Sequence, residues 1–448
     1  MFADDTQFDA YDKAEHSARK ALELYEIGKM SLALMELNAA IEINPANSAW
    51  HFNKGLTLDA INRFEEAINE YKIALELDPL DMDILNSLGV DYTRTGHYER
   101  AIEIFEHIEQ LDPVFEPCYC NRIITYTEMG LHDMAEQMFY LAQQIDPDCA
   151  LCYYNIGNSL FIRNEYRKAL SCWLKTIELD SSHPEINYRI AQACWANGDA
   201  AGGRKYFLAE LCADPGNVDV IFDFGLFLLE QNDIESAKEK FNRILELAPD
   251  FAPALFYLGE IAYNSKDHEK AAELFQKVLQ KDSKFPGPRY RLAHCALMKG
   301  NKQDAENYLV SEVELASEDA EVLISIGSMF MLIGSYDHAA RCLLMAVNAD
   351  SRDANAYYYL GLLSAVKKQF EDAYEFLGNA LNINPDHTAA LRNYAHVCLQ
   401  TGRLTEAAEK TQKALGLTKD DPQLLLLDWK ILIAGVIKAV RNFLHLKS

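Results

Sequence analysis

Apolar residues recur along this chain at three- and four-residue spacing in short arms, as in Ala67, Tyr71 and Ala74 or Ala101, Phe105 and Ile108. That period predicts amphipathic helices. No stretch alternates apolar and polar residues as a half-buried strand does. The arms fall into a frame of 34 residues that starts at Ala14 and repeats twelve times without insertion or deletion, through residue 421. A fixed period of this length means one small unit stacked on copies of itself.

Within the frame, the eighth residue is small in eleven repeats (Ala21, Gly55, Gly89, Gly157, Ala191, Gly225, Gly259, Ala293, Gly327, Gly361 and Ala395), with Ile123 the exception. The twentieth is alanine from Ala33 through Ala407 except at Gly203. Small residues on two facing helices allow close approach, where a bulky one would cost about 1–3 kcal/mol in overpacking. Between these positions a turn site holds Gly28, Gly96, Gly130, Gly198, Gly300, Gly334 and Gly402, or Asn62, Asn164 and Asn232. Glycine and asparagine tolerate the left-handed conformation that ends a helix, so Lys266 and Lys368 at the same site are expected to be strained. Most repeats close on proline (Pro45, Pro79, Pro113) or serine, and proline cannot continue a helix. Each unit is therefore helix, tight turn, helix, turn, too small to bury its apolar face alone.

With these offsets the chain resembles the tetratricopeptide repeat family over residues 14–421. The resemblance implies an all-α, right-handed α-solenoid whose first helices line a concave groove, and a non-enzymatic scaffold or adaptor without a cofactor. It names no ligand. Residues 1–13 are expected to be a lead-in, and residues 422–448 an amphipathic basic helix that caps the last repeat.

The offsets carried over from the family place Tyr154, Tyr188, Phe222, Phe256 and Tyr290 in one groove stripe, and Phe161, Trp195 and Tyr263 in a second. Acids (Glu185, Asp219, Glu230 and Glu260) stand among them. Such rings are either ordinary packing between helices or binding anchors with large contact area and low entropy cost. A small-molecule pocket is a third use. The binding reading implies a protein or peptide segment with apolar and basic residues. Family members that grip a peptide backbone use a ladder of asparagines, and here Asn121 and Asn155 allow a short one. The lysine-rich clamp of chaperone-tail adaptors has no counterpart at these offsets.

Charge narrows the partners. Lys and Arg number 42 against 68 Asp and Glu, a net charge of −26, which disfavours nucleic acid. The first eleven residues are acidic and lack the apolar core of a signal peptide. Ten cysteines without an export signal point to a reducing compartment, the cytoplasm. Two tight pairs, Cys118/Cys120 and Cys149/Cys152, have spacings that could hold zinc. However, Cys118 and Cys152 occupy equivalent places in successive repeats, about one helix-packing distance apart, so packing rather than metal is expected. No phosphate-cradling loop, paired-histidine helix or nucleophile with an obvious base is present, and no enzyme is expected.

Two further expectations concern shape. On a helical wheel of 422–446, Leu425, Leu426, Leu432, Ile433, Val436, Ile437, Val440, Phe443 and Leu444 gather on one half, and Lys430, Lys438, Arg441, Asn442 and His445 on the other. Leu424, Leu427, Ile431 and Ala434 widen the apolar side beyond a single face. A cap is the first reading; a dimer contact or an interfacial membrane helix is the alternative. Charges interrupt every window long enough to span a bilayer. Gly198, Gly202 and Gly203 predict a soft point in the sixth repeat, since glycine inside a helix costs about 1 kcal/mol.

Overall fold

A computed structural model describes residues 5–315, 319–418 and 421–445, with side chains from 11 through 438 within those ranges. All regular elements among them are α-helices, and the chain divides into two compact units between Phe227 and Leu228. In the first unit the pairs are α1 (Asp5–Glu26) with α2 (Met30–Ile43), α3 (Ser48–Asp59) with α4 (Phe64–Leu77), and α5 (Met82–Arg94) with α6 (Tyr98–Leu111). They continue with α7 (Glu116–Glu128) and α8 (His132–Ile145), α9 (Ala150–Ile162) and α10 (Tyr166–Leu179), and α11 (Ile186–Ala196) and α12 (Ala200–Ala213). Helix α13 (Val218–Glu230) contains the division, and α14 (Ile234–Leu247) follows it. The second unit continues with α15 (Ala252–Asn264) and α16 (His268–Lys281), α17 (Pro288–Met298) and α18 (Lys302–Val313), and α19 (Ala320–Ile333) and α20 (Tyr336–Ala349). It closes with α21 (Ala354–Val366) and α22 (Phe370–Ile383), α23 (Thr388–Gln400) and α24 (Leu404–Leu417), and α25 (Pro422–His445). Helix α1 takes in residues 5–13 of the expected lead-in as a continuous extension of the first helix.

The turn chemistry is local and appears as the sequence requires. The turn glycines, and equally Asn62, Asn164 and Asn232, have φ near +60° to +94°. Lys266 (φ 64°) and Lys368 (φ 60°) occupy the same left-handed conformation despite their side chains. At Asn62 the amide donates to Asp59 C=O at 2.8 Å and the Arg63 amide to Leu58 C=O at 2.9 Å, which satisfies the last carbonyls of α3.

The small eighth residue has a sharper cause than mutual approach of backbones. The 24th residue of the same repeat lies directly over it: a Cβ on Gly89 would come 2.6 Å from the Phe105 ring, and one on Gly259 2.7 Å from Phe275. The rings of Tyr71, Phe105, Phe207, Phe241 and Phe275 at this place are fully buried. In the fourth repeat Ile123 fills the space, and Phe139 edges instead onto Tyr153 with ring centroids 5.3 Å apart. Gly203 has the same logic between repeats, because its Cβ would meet the Phe227 ring at 2.8 Å. The glycine that departs from the alanine pattern thus makes room for a ring.

Two repeats start irregularly. After Pro184 and Pro286 the chain takes a positive φ, at Glu185 (58°) and Gly287 (94°), and α11 and α17 are 11 residues long where most first helices have 13. Buried acids compensate: Glu210 accepts the Tyr188 amide at 3.2 Å and Glu312 accepts the Gly287 amide at 2.7 Å. Burial raises the pKa of both carboxyls.

The C-terminal helix docks through an unexpected side. Leu424, Leu427 and Ile431 are buried; Leu427 and Ile431 pack with Ala395, Val397 and Cys398 of α23, while Leu424 packs with Leu391 and Ala414. These are residues that merely widened the apolar wheel. The half that looked like the inner face, Leu425, Leu426, Leu432, Ile433, Val436 and Ile437, is exposed together with Trp429. Val440, Arg441, Asn442, Phe443, Leu444 and His445 lie outside the described side chains. Among the described residues no helix is long and apolar enough to cross a membrane.

Candidate partner-binding face

Helical spacing puts the fifth, sixth, ninth and twelfth residues of a first helix on one side. The ten residues singled out in the sequence occupy such places. Asn155 is buried, whereas Asn121, Tyr154, Phe161, Tyr188, Trp195, Phe222, Phe256, Tyr263 and Tyr290 are all half-buried. Neither of the simple readings of the rings, buried packing or free surface, describes them fully. Their inner edges rest on the second helix of their own repeat: Phe161 lies 5.5 Å from Trp173, Trp195 6.3 Å from Phe207 and Phe256 5.7 Å from Phe275. Their outer faces are partly accessible.

In the first unit the structure brings two of the ten, Asn155 and Phe161, into one cavity of about 220 Å³. Ile124, Thr127 and Glu128 of α7 and Asn158 and Ile162 of α9 line it, with Trp173 beneath and Arg189 of α11 at its edge. Trp173 is held in place by its own indole N–H, which donates to Tyr154 C=O at 3.1 Å. Two buried polar atoms in this lining have no hydrogen-bond partner: the Asn158 Oδ1 acceptor and the Arg189 Nε donor. Buried polar groups are nearly always paired, and a lone one costs about 1–3 kcal/mol.

The remaining residues are distributed. Tyr154 stacks against His183 with centroids 4.2 Å apart. The Tyr188 hydroxyl donates to Asp223 Oδ2 at 2.6 Å, and burial together with that carboxylate raises its pKa. Trp195 also meets Phe227 edge-on at 6.0 Å. The asparagines are engaged within the protein: Asn121 Nδ2 donates to Asn86 Oδ1 at 2.8 Å and Asn155 Nδ2 to Cys120 C=O at 3.3 Å. In the second unit Tyr263 shares a hydrogen bond with His294 Nδ1 at 2.8 Å and lies under Arg291, which forms a two-pronged ion pair with Glu260 at 2.6 Å. Tyr290 lines a cavity of about 480 Å³ with Pro286, Gly287 and Glu312. The sequence shows Arg189 only as a break in the asparagine ladder, and Glu128 not at all, because both stand on neighbouring helices; Asn158 alone has a helical spacing from Asn155 and Phe161 that could have marked it.

The cysteines correct a distance argument. Cys118 is buried and apart, and burial pushes its thiol up to about 12. Cys120, however, meets Cys149, the last residue of its own repeat, and Cys152 of the next, joined by Glu116 one turn earlier on α7. Equivalent positions are indeed a repeat apart, but the fifth residue of one repeat reaches the third of the next. Residues two apart on a helix point in different directions, so Cys118 does not follow Cys120.

Sequence comparison matches residues 228–442 to the family described as cilia and flagella-associated protein 70 C-terminal domain, and 11–71, 52–114 and 154–218 to the tetratricopeptide repeat. No curated protein matches the sequence. Among solved structures, yeast Tom70 is 15% identical with a TM-score of 0.42, over 96% of each chain. A tetratricopeptide repeat protein from Parabacteroides merdae ATCC 43184 is 18% identical with a TM-score of 0.44, over 60% of this chain and 99% of that one. YrrB, a TPR protein with an unusual peptide-binding site, is 26% identical with a TM-score of 0.35, over 41% of this chain and 95% of that one. Those family matches, together with helix pairs in a 34-residue frame, identify the chain as a member of the tetratricopeptide repeat family.

Proposed function

We propose that this protein is a non-enzymatic scaffold that holds an extended segment of a partner protein against the first helices of its fourth to sixth repeats. Tetratricopeptide repeat proteins generally mediate protein–protein interactions. The observation that carries the reading is the pair of unpartnered buried groups, Asn158 Oδ1 and Arg189 Nε, in a cavity floored by Phe161 and Trp173. A small opening of the lining would let a partner's backbone N–H and C=O satisfy them, with an apolar side chain in the cavity. Nearby acids, with the net charge of −26, favour basic flanks on that segment. We place the protein in the cytoplasm. Selecting binders from a displayed peptide library with the full chain tests this. Selected peptides should bind Phe161→Ala/Arg189→Gln at least about tenfold more weakly, the loss expected from a central anchor. Unchanged binding to a folded variant would move the partner site elsewhere.

A second reading has its own support. The exposed apolar face of α25, from Leu425 to Ile437, suits self-association or an interfacial membrane contact. Vesicle flotation and sedimentation of the intact protein against Trp429→Ser/Leu432→Ser/Ile433→Ser decide it. A variant that floats and sediments like the wild type removes this face from consideration.

A further inference from the structure

We infer that Cys120, Cys149, Cys152 and Glu116 form a binding site for a thiophilic divalent cation, zinc in its commonest form, at the junction of the fourth and fifth repeats. The four ligand atoms all lie within 4.8 Å of one another. Glu116 Oε1 is 2.9 Å from both the Cys120 and the Cys152 sulfurs, Cys120 Sγ is 3.5 Å from Cys149 Sγ, and Cys120 and Cys152 are joined as a disulfide in this structure. Four ligands around a tetrahedral zinc, with bonds of about 2.0–2.3 Å, stand roughly 3.5–3.8 Å from each other. Once the Cys120–Cys152 bond is reduced, as it is in a reducing compartment, the two sulfurs must separate to reach that arrangement.

The donor set argues for a cation over a simple disulfide between Cys120 and Cys152. A disulfide carries no S–H, so the carboxylate oxygen would face two sulfur lone pairs at 2.9 Å with no proton between them. It would also leave the Cys149 sulfur beside the pair with only its N-cap contact and the Glu116 carboxylate. A dication accounts for all four groups at once. Cys149 is the N-cap of α9 and its Sγ accepts the Cys152 amide at 3.2 Å, which holds that sulfur beside the other three ligand atoms. Binding releases the thiol protons to solvent and joins α7 to the start of α9. Since Asn155 Nδ2 donates to Cys120 C=O, the same junction steadies one wall of the cavity described above, although the metal site does not depend on that cavity binding a partner.

The test uses the full chain, purified without oxygen and reduced, with cobalt(II) as the probe and zinc measured by elemental analysis. One zinc per chain is expected, together with the intense visible bands and thiolate-to-metal charge transfer of tetrahedral cobalt. Cys149→Ser and Glu116→Gln should each weaken cobalt binding more than about a hundredfold, beyond what outer-sphere changes usually cost, while Cys172→Ser should not. Cys149→Ser separates the alternatives, because a Cys120–Cys152 disulfide has no need of that sulfur. Absence of cobalt bands in reduced, folded protein would overturn the inference. So would cobalt binding unaltered by Cys149→Ser, or a quantitative Cys120–Cys152 disulfide in protein isolated under anaerobic conditions.

Discussion

The junction between the fourth and fifth repeats and the junction between the tenth and eleventh use the same backbone frame and fill it oppositely. In the later one Ile324 reaches the place that Cys120 holds, Ala356 that of Cys152, Asp353 that of Cys149 and Ala320 that of Glu116. Ile324 and Ala356 are buried, and Asp353 caps α21 by accepting the Asn355 and Ala356 amides. That is an ordinary apolar contact beside an ordinary N-cap. At the earlier junction Cys149 is also an N-cap, accepting the Cys152 amide, but sulfur and carboxylate have replaced the hydrocarbon. The frame thus accepts hydrocarbon and an oxygen cap where the earlier junction has sulfur and a carboxylate. The choice of three thiols and an acid is therefore extra to folding.

The largest effect expected from testing this contrast comes from the rigidity of the two neighbourhoods. Gly157 lies under Trp173, which its hydrogen bond to Tyr154 C=O fixes, whereas Gly361 lies under the flexible Leu377. Gly157→Ala should cost about 3 kcal/mol and Gly361→Ala about 1 kcal/mol, the two ends of the overpacking range. Chemical denaturation followed by circular dichroism gives both numbers; equal costs would mean the tryptophan yields as easily as the leucine. The pH dependence comes next. The tenth residue of the eleventh repeat is buried Leu363, and the same place in the third repeat holds Asp91, also buried. Burial first, then the neighbouring Asp59 charge, pushes the Asp91 carboxyl up to about 7, against the lowering effect of Arg94. The folded state thus holds a proton that the unfolded chain releases near its ordinary value of 3.8. The stability this provides is complete below the unfolded value and is lost as pH rises through about 7. Asp91→Asn should raise the melting temperature at pH 8 by the equivalent of about 1–3 kcal/mol and change it little at pH 4. A gain that is independent of pH would contradict the assignment.

Transplantation has a smaller effect on stability and speaks most directly to the contrast. Glu116→Ala/Cys120→Ile/Cys149→Asp/Cys152→Ala gives the earlier junction the residues of the later one, and should fold with a stability change under about 1.5 kcal/mol, typical of conservative core exchange. It should also lose all metal. A severe loss of stability would make the cysteines structurally obligatory. The smallest effect concerns repeat six. Hydrogen exchange in α12 should exceed that in α14 by a few-fold, because Gly202 and Gly203 each weaken the helix by about 1 kcal/mol relative to alanine. Equal exchange would show that the Phe227 ring over Gly203 restores what the glycines remove.

Much of the fold is legible without coordinates, and the parts that are share one property: they are local. The turn residues, including Lys266 and Lys368, adopt positive φ because the turn geometry is set within a few residues. The candidate face is legible in part. Tyr154, Phe161 and Trp195 sit on the half-buried side of their helices as the offsets imply, but Asn158 and Arg189, the groups left unpartnered there, belong to different repeats. No pattern within one repeat announces that pairing. The ring over the eighth residue was similarly hidden, although an aromatic at the 24th place from Tyr71 to Phe275 was available as a signal.

The sequence alone therefore determined the period, the helix pairs, the turns and the sides on which rings stand. These follow from backbone preferences and helical spacing, which act over one or two turns. Tertiary structure decided which side of α25 docks, because a helix with apolar residues all round carries no mark of the side its neighbour will take. It also decided that Cys120 meets Cys152 while Cys118 does not. Contacts between repeats depend on the direction in which side chains lean across a helix interface, and the distance between equivalent positions does not contain that direction.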